Sequence, residues 1–171
     1  MKTFYISTIT LVLLLSSGLI YGQNVGDTSK INFIKAEYAK INGSLKSYRK
    51  IIKEDTAEST EGNEISLYFK GDTIKKIKAI YYGETGKALT EYYFFNKRLI
   101  FYYFEEDRYD VPINANNGHV KTASKKEKRY YLNDDEIFMV KLNPKETVSS
   151  EGIKELAIDT QKEAYRLLHL K

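Results

Sequence analysis

The residues that most often carry out chemistry in proteins are sparse in this chain. It has two histidines, His119 and His169, and no cysteine, so a zinc site built from several such ligands is excluded. Asp107, Asp110 and the asparagines that follow them offer oxygen ligands, but they lack the ligand order of an EF-hand calcium loop. We therefore expect no metal site and no cofactor.

Nucleophilic and acid–base catalysis have equally few candidates. The absence of cysteine excludes a thiolate, and no G-x-S-x-G motif presents a serine. The carboxylates of Glu105-Glu106 and Asp134-Asp135 do not suggest a glycosidase pair, because neighbouring strand residues point to opposite faces and Asp134-Asp135 lies in a predicted turn. The enzymatic alternative is a small cell-envelope enzyme whose site is assembled only in three dimensions, with His119 beside a carboxylate and a hydroxyl.

Aromatic residues carry the strongest functional signal. The chain has 15 tyrosines and 8 phenylalanines, and many fall on neighbouring predicted strands, so both faces of a sheet would carry rings. One face must form the core, and the other would expose an aromatic binding surface unless the two helices cover both faces. Basic residues from Lys121 to Arg129 would either lie beside an acidic partner or face solvent at the start of a strand. The candidate binding residues are Tyr82, Tyr92, Phe94, Tyr102, Phe104, Tyr109 and His119.

A helix and an antiparallel sheet are predicted to position these residues. Apolar residues recur at spacings of three and four from Ile31 to Ile52, which predicts an N-terminal amphipathic helix with a possible break at Asn42-Gly43. Apolar and polar residues alternate over 64–104, which predicts a four-stranded antiparallel meander. Its turns are expected at Gly71-Asp72, Gly83–Gly86 and Asn96-Lys97.

An internal repeat predicts three similar hairpins. In each, an aromatic pair ends a strand, Gly or Asn opens a turn, and an apolar residue starts the return strand; the three copies begin at Tyr68, Tyr93 and Tyr130. The pattern resembles the hairpins of MORN-type repeats and, more closely, a class of uncharacterised exported bacterial proteins with "YYF-x-N-x-x-L" hairpins, over roughly residues 64 to 142. The resemblance implies a hairpin fold without a catalytic residue, and it suggests an immunity-like, toxin-neutralising partner as a further alternative.

The remaining segments complete the predicted domain. Glu105 to Glu127 is predicted to be a long binding loop, since loops longer than about 12 to 15 residues are uncommon unless functional or disordered. Asn143-Pro144 with Glu146 predicts the start of a C-terminal helix. The predicted fold class is α+β: an N-terminal helix, an antiparallel β-meander of about six strands and a C-terminal helix.

The N-terminal segment predicts where the protein acts. Lys2 precedes an uncharged run from Phe4 to Tyr21, and Gly22 supplies a small residue before a cleavage site, so residues 1–22 are predicted to be a signal peptide. The alternative is an uncleaved anchor, because a span needs about 17 to 25 apolar residues. Without a cysteine after the cut the chain has no bacterial lipoprotein signal, and we expect a periplasmic or secreted single domain over 23–171.

Charge and composition narrow the expected partners. The formal net charge of +4 includes Lys2, so residues 23–171 carry about +3, which is too mild to suggest nucleic acid. The sequence favours a non-enzymatic exported binding module that holds a protein, peptide or envelope glycan against the aromatic face and the 105–127 loop. We expect no stable membrane span after cleavage, and the oligomeric state stays open.

Overall fold

Two helices flank a run of seven strands in the computed structural model, which describes residues 25–55, 61–115 and 119–170. The helices are α1 (Val25–Gly43) and α2 (Ser150–Leu168), and a short 3-10 turn (Leu45–Ser47) follows α1. The strands are β1 (Arg49–Lys53), β2 (Asn63–Lys70), β3 (Thr73–Gly83), β4 (Gly86–Phe95), β5 (Arg98–Tyr109), β6 (Thr122–Asn133) and β7 (Glu136–Asn143). The predicted signal peptide lies outside the described residues.

All seven strands form one antiparallel sheet whose spatial order follows the chain. β1 lies at one edge and β7 at the other, so every connection joins direct neighbours. The predicted α+β class is confirmed, with seven strands where about six were expected.

Tight turns of local origin set the register of the hairpins. Asn96 and Lys97, between β4 and β5, have φ of 49° and 67°, and Asp134 and Asp135, between β6 and β7, have φ of 49° and 69°. Two successive positive φ angles are typical of the type I′ turn, whose twist matches that of the flanking strands. Gly71, at φ 59°, opens the corresponding turn between β2 and β3. The three hairpin turns therefore lie where the repeat predicts them.

Each helix covers one face of the sheet. Consecutive residues of β4 illustrate the division: Tyr93 packs in a cluster with Ile34 and Ile41 of α1, whereas Tyr92 and Phe94 pack in a cluster with α2. Neighbouring strand residues point to opposite faces, so the aromatic pairs of the hairpins supply both clusters at once. The sheet is therefore the middle of three layers.

The N-terminal helix is shorter than the apolar spacing predicts. It ends at Gly43, at the predicted break, and Ile52 belongs to β1 rather than to a helix. β1 pairs with β2, with Ile51 opposite Leu67. The helical spacing continued past Gly43 by coincidence, and pairing with β2 decided the structure of this segment.

The predicted loop over 105–127 is too long, because both ends of that segment are strand. β5 continues to Tyr109 and β6 begins at Thr122, which leaves only the residues between them as a connection. Opposite charges pair across the extended strands, with Lys125 Nζ 3.0 Å from Glu105 Oε1. The charged residues that suggested a loop instead form ion pairs between β5 and β6.

The predicted start of the C-terminal helix is also wrong. α2 begins at Ser150, after an N-cap in which the Ser149 hydroxyl accepts a hydrogen bond of 3.1 Å from the Gly152 amide. Asn143 is instead the last residue of β7, opposite Glu127. Pro144 follows it through a cis peptide bond.

Replacing Gly86 by alanine should destabilise the protein by about 1–3 kcal/mol, the usual cost of overpacking. A Cβ at Gly86 would collide with the Asp107 carbonyl oxygen and approach the Arg108 Cα to 3.3 Å. Gly83, its partner in the same hairpin, is the matched control, since a Cβ there would lie 3.5 Å from the Gly86 oxygen. Urea unfolding should separate the two variants, and equal losses would contradict the close approach.

Candidate binding groove

A groove lies between α1 and the central strands β5 and β6. We call it the α1 groove; it has a volume of about 320 Å³, at the lower end of small-ligand pockets (about 300–1,000 Å³). From the helix, Ile34 and Tyr38 lie four residues apart and are neighbours on its surface, and so are Lys35 and Tyr38, three apart. The lining residues are Ile34, Lys35, Tyr38, Phe101, Tyr103, Arg129 and Tyr131.

Aromatic rings form the floor of the groove. The Tyr38 ring lies 4.9 Å from the Tyr93 ring and meets Phe101 edge-on at 5.7 Å, centre to centre. Phe101 in turn lies 5.0 Å from Tyr131. Tyr38 nevertheless stays 41% exposed. The groove therefore offers a ligand an aromatic surface that the fold already holds in place.

Two cations stand at the walls of the groove. The Arg129 guanidinium lies 5.4 Å from the centre of the Tyr103 ring and 2.6 Å from Glu127 Oε2. Lys35 is exposed on α1, and no carboxylate of the described residues lies within ion-pairing distance of its Nζ. The walls thus carry one neutralised and one uncompensated positive charge, which favours an anionic ligand with an apolar body.

The hydroxyl of Tyr103 is held in its protonated form. It donates a hydrogen bond of 2.6 Å to Glu105 Oε2 and lies 3.4 Å from Glu127 Oε1. Burial, then the bond to Glu105, raises the pKa of Tyr103, and the same bond lowers the pKa of Glu105. At neutral pH the groove floor therefore presents a neutral phenol beside an ionised carboxylate that Lys125 neutralises.

The positive charge continues from the groove to the edge strand β7. Lys141 lies opposite Arg129 in the β6–β7 register, and its Nζ is 6.0 Å from the centre of the Tyr131 ring. Lys30 of α1 lies 5.5 Å from the centre of the Phe138 ring on β7. Lys141 and Lys30 therefore extend the positive charge from the groove to this edge, outside the lining of the α1 groove itself.

A second groove lies on the opposite side of α1, next to the turns of two hairpins. Its volume is about 580 Å³, and Phe33 at its wall meets Phe95 edge-on at 5.0 Å. An ion pair between Arg98 and Asp134 joins the two hairpins at this end. Lys30 lines the same groove, so its charge does not distinguish it from the α1 groove. The difference is aromatic: two aromatic side chains line this groove, and four line the α1 groove.

A buried polar cluster fixes the C-terminal end of α1 on the sheet. Lys76 Nζ lies 2.7 Å from Glu91 Oε1 and donates to Asn42 Oδ1 at 2.8 Å, while the Tyr93 hydroxyl donates to Glu91 Oε2 at 2.5 Å. Burial lowers the pKa of Lys76 against the opposing effect of Glu91. The Lys76 side chain is only 4% exposed, so the cluster orients α1 and offers no access to a ligand.

The predicted aromatic binding residues do not share one exposed face, because the two helices cover both faces of the sheet, which is the alternative that the sequence left open. Tyr92 and Phe94 are 3% and 1% exposed, in the core that α2 covers. Tyr102 stacks on Tyr130 at 4.9 Å and is half-buried in the same core. Tyr82 is 46% exposed; because Tyr81 packs towards α2, strand alternation places Tyr82 on the other face.

The other predicted binding residues lie away from the α1 groove. Phe104 is half-buried, with Lys128 Nζ 5.2 Å from its ring centre. Tyr109 ends β5, and its amide donates to the Thr85 carbonyl at 2.8 Å. His119 is exposed and does not line the α1 groove. The structure therefore does not bring the predicted set together in one site.

The sequence does not identify the residues of the α1 groove as a group. Tyr38 falls within the apolar stripe of the predicted helix, and that spacing does not separate an exposed ring from a buried one. Arg129 was noted in the basic run, but its position opposite Lys141 depends on the strand register. One signal in the sequence does point to the groove. Lys35 directly follows an apolar position of the helix, and Arg129 directly precedes an aromatic pair, so each places a positive charge next to an apolar surface.

Comparisons with known proteins do not place the chain in a family. No family model matches the chain, and neither a curated protein nor a solved structure is significantly similar to it. Among the described residues, no cluster of three or more His, Asp or Glu side chains could hold a metal ion. Within the same residues, neither helix has the length and apolar character needed to cross a membrane.

Proposed function

We propose that the chain is an exported, non-enzymatic binding module that holds a protein or peptide partner in the α1 groove. The observation that carries this proposal is the combination of an exposed tyrosine, an aromatic floor and an uncompensated lysine in one open groove. Tyrosine and arginine are enriched where proteins bind one another, because they join a large contact area to a polar end.

The groove replaces the aromatic sheet face as the proposed binding surface. The helices cover the rings that the sequence offered for that face, and Tyr92 and Phe94 cannot contact a partner without unfolding. Tyr38 retains both properties that a binding surface needs, because it is exposed and because Tyr93 and Phe101 support its ring. A side chain held in this way loses little conformational entropy when a partner binds.

A photo-cross-linking residue at position 38 should capture a partner in the cells that produce the protein. The same residue at position 165 is the matched control, because Tyr165 on α2 is 43% exposed and Tyr38 is 41% exposed. We expect an adduct from position 38 only, and we expect Lys35→Glu to reduce its yield because the substitution reverses the groove's free charge. Equal adducts from both positions, or none from position 38, would contradict the proposal.

A further inference from the structure

The edge strand β7 has hydrogen-bonding groups that no strand of the described residues uses. Within that part of the chain, β6 is the only strand that pairs with it. No backbone hydrogen bond among the described residues reaches β7 from its outer side. An unpaired edge of this kind is a template for strand addition by another chain.

Positive charge is concentrated at this edge on the side of α1. Lys141 lies directly opposite Arg129, and like charges in that relation are destabilising. Glu127 neutralises Arg129. In the described part of the chain, neither Lys141 nor Lys30 has a carboxylate within ion-pairing distance. An anionic strand beside β7 would supply the missing countercharge.

The opposite edge of the sheet provides an internal comparison. Lys50 on β1 lies 5.9 Å from the Tyr68 ring centre, much as Lys141 lies 6.0 Å from that of Tyr131. However, Lys50 Nζ is also 3.3 Å from Glu64 Oε1. The two edge lysines are thus placed alike, and of the two only Lys50 is paired with a carboxylate of the described residues.

We propose that β7 and the α1 groove together take an extended acidic segment of a partner protein, added to the sheet as a further strand. The proposal rests on the binding function proposed above and names its partner class. Alternate residues of the added strand would face α1. One carboxylate would lie beside Lys141, an apolar side chain would pass Met139 towards the groove, and a second carboxylate would point towards Lys30.

A synthetic peptide tests this partner class. The probe is acetyl-Thr-Glu-Thr-Phe-Thr-Glu-Thr-amide with a fluorescent label, and the measurement is its anisotropy on titration with the purified protein. We expect saturable binding that weakens as salt increases. Replacing both glutamates by glutamine, or methylating alternate backbone nitrogens of the probe, should each weaken binding by roughly tenfold or more.

Charge reversal on the protein provides the matched comparison. Lys141→Glu should weaken binding of the acidic probe by roughly tenfold. The same variant should bind a second probe in which lysine replaces both glutamates. Lys50→Glu on the other edge should change neither affinity. Urea unfolding of both variants controls for a loss of structure.

The outcomes separate this proposal from the binding function on which it rests. Equal binding of the glutamate and glutamine probes, unchanged binding by Lys141→Glu, or unchanged binding of the methylated probe would overturn strand addition by an acidic segment. If position 38 cross-links a partner in cells while the probe fails, the groove function stands and the acidic-strand proposal falls. If both experiments fail, both proposals fall.

Discussion

Above pH 10 the protein should lose stability steeply and unfold, because folding buries tyrosine hydroxyls that ionise in the unfolded chain. Tyr92 and Tyr93 are 3% and 0% exposed. Burial, the main cause in both cases, raises the pKa of each well above its ordinary value of 10.0. Burial raises the pKa of Tyr102 and Tyr130 in the same direction.

The sign of the effect follows from proton binding in the two states. Below pH 10 folded and unfolded chains hold the same tyrosine protons, so the stabilisation is fully present. Above pH 10 the unfolded chain releases protons that the folded chain retains, so stability falls as pH rises. Each fully buried tyrosine lowers the free energy of unfolding by about 1.4 kcal/mol per pH unit above pH 10. Tyr92 and Tyr93 together therefore lower it by about 3 kcal/mol per pH unit.

One buried group acts in the opposite direction but does not cancel the loss. The pKa of Lys76 is lowered from 10.5, so stability rises with pH between its folded pKa and 10.5. Above that window the lysine contributes no further pH dependence. Above pH 10.5 the tyrosines therefore lower the stability unopposed by Lys76, and the bond to Glu105, which raises the pKa of Lys125, adds a loss of the same sign.

Tyrosinate absorbance and near-ultraviolet circular dichroism, recorded together against pH, measure this transition. The part of the absorbance change that comes from the buried hydroxyls should coincide with the loss of circular dichroism, since these groups ionise only on unfolding. Tyr92→Phe should make the loss of stability above pH 10 less steep, whereas Tyr165→Phe, at a side chain 43% exposed, should leave it unchanged. Ionisation of all tyrosines before any loss of folded signal would contradict the prediction.

The hairpins were predictable because their determinants are local. Asn96, Asp134 and Asp135 tolerate the positive φ of these turns. The aromatic pairs before the turns alternate between the two faces whatever covers the sheet. Nothing beyond a few neighbouring residues is needed to place these turns. The sheet and its order along the chain followed from them.

The segments that sequence analysis placed wrongly depend on distant partners. Residues 105–109 have a loop-like composition in isolation, and they become strand because the segment around Lys125 pairs with them. β1 likewise carries the spacing of a helix and becomes a strand because β2 lies beside it. Long-range pairing decided both cases, and a single-sequence pattern contains little information about it.

The α1 groove was unpredictable for a related reason. Helical spacing marks Ile34 and Tyr38 as members of one stripe, yet only Ile34 is buried, at 3% exposed. Which member of a stripe stays open depends on where the helix crosses the sheet. The pairing of Lys141 with Arg129 depends in addition on a register shift between Tyr131 and Leu132, which no residue pattern indicates.

Lys76→Met should cost about 3–5 kcal/mol of folding free energy, the usual loss when one partner of a buried ion pair is removed. The Lys76 and Glu91 side chains are 4% and 12% exposed, so the variant would leave the Glu91 carboxylate buried without its countercharge. Urea unfolding followed by circular dichroism measures the loss.

Two further variants show whether burial causes this cost. Lys50→Met breaks the exposed pair with Glu64, where the side chains are 40% and 45% exposed, and should cost no more than about 1 kcal/mol. The double variant Lys76→Met/Glu91→Leu should recover most of the loss, because no unpaired charge remains. The Tyr93 hydroxyl can still donate a hydrogen bond to Asn42 Oδ1, which lies 3.3 Å away. If the double variant is as unstable as Lys76→Met, the cost arises from lost packing under α1, and the ion pair is not its cause.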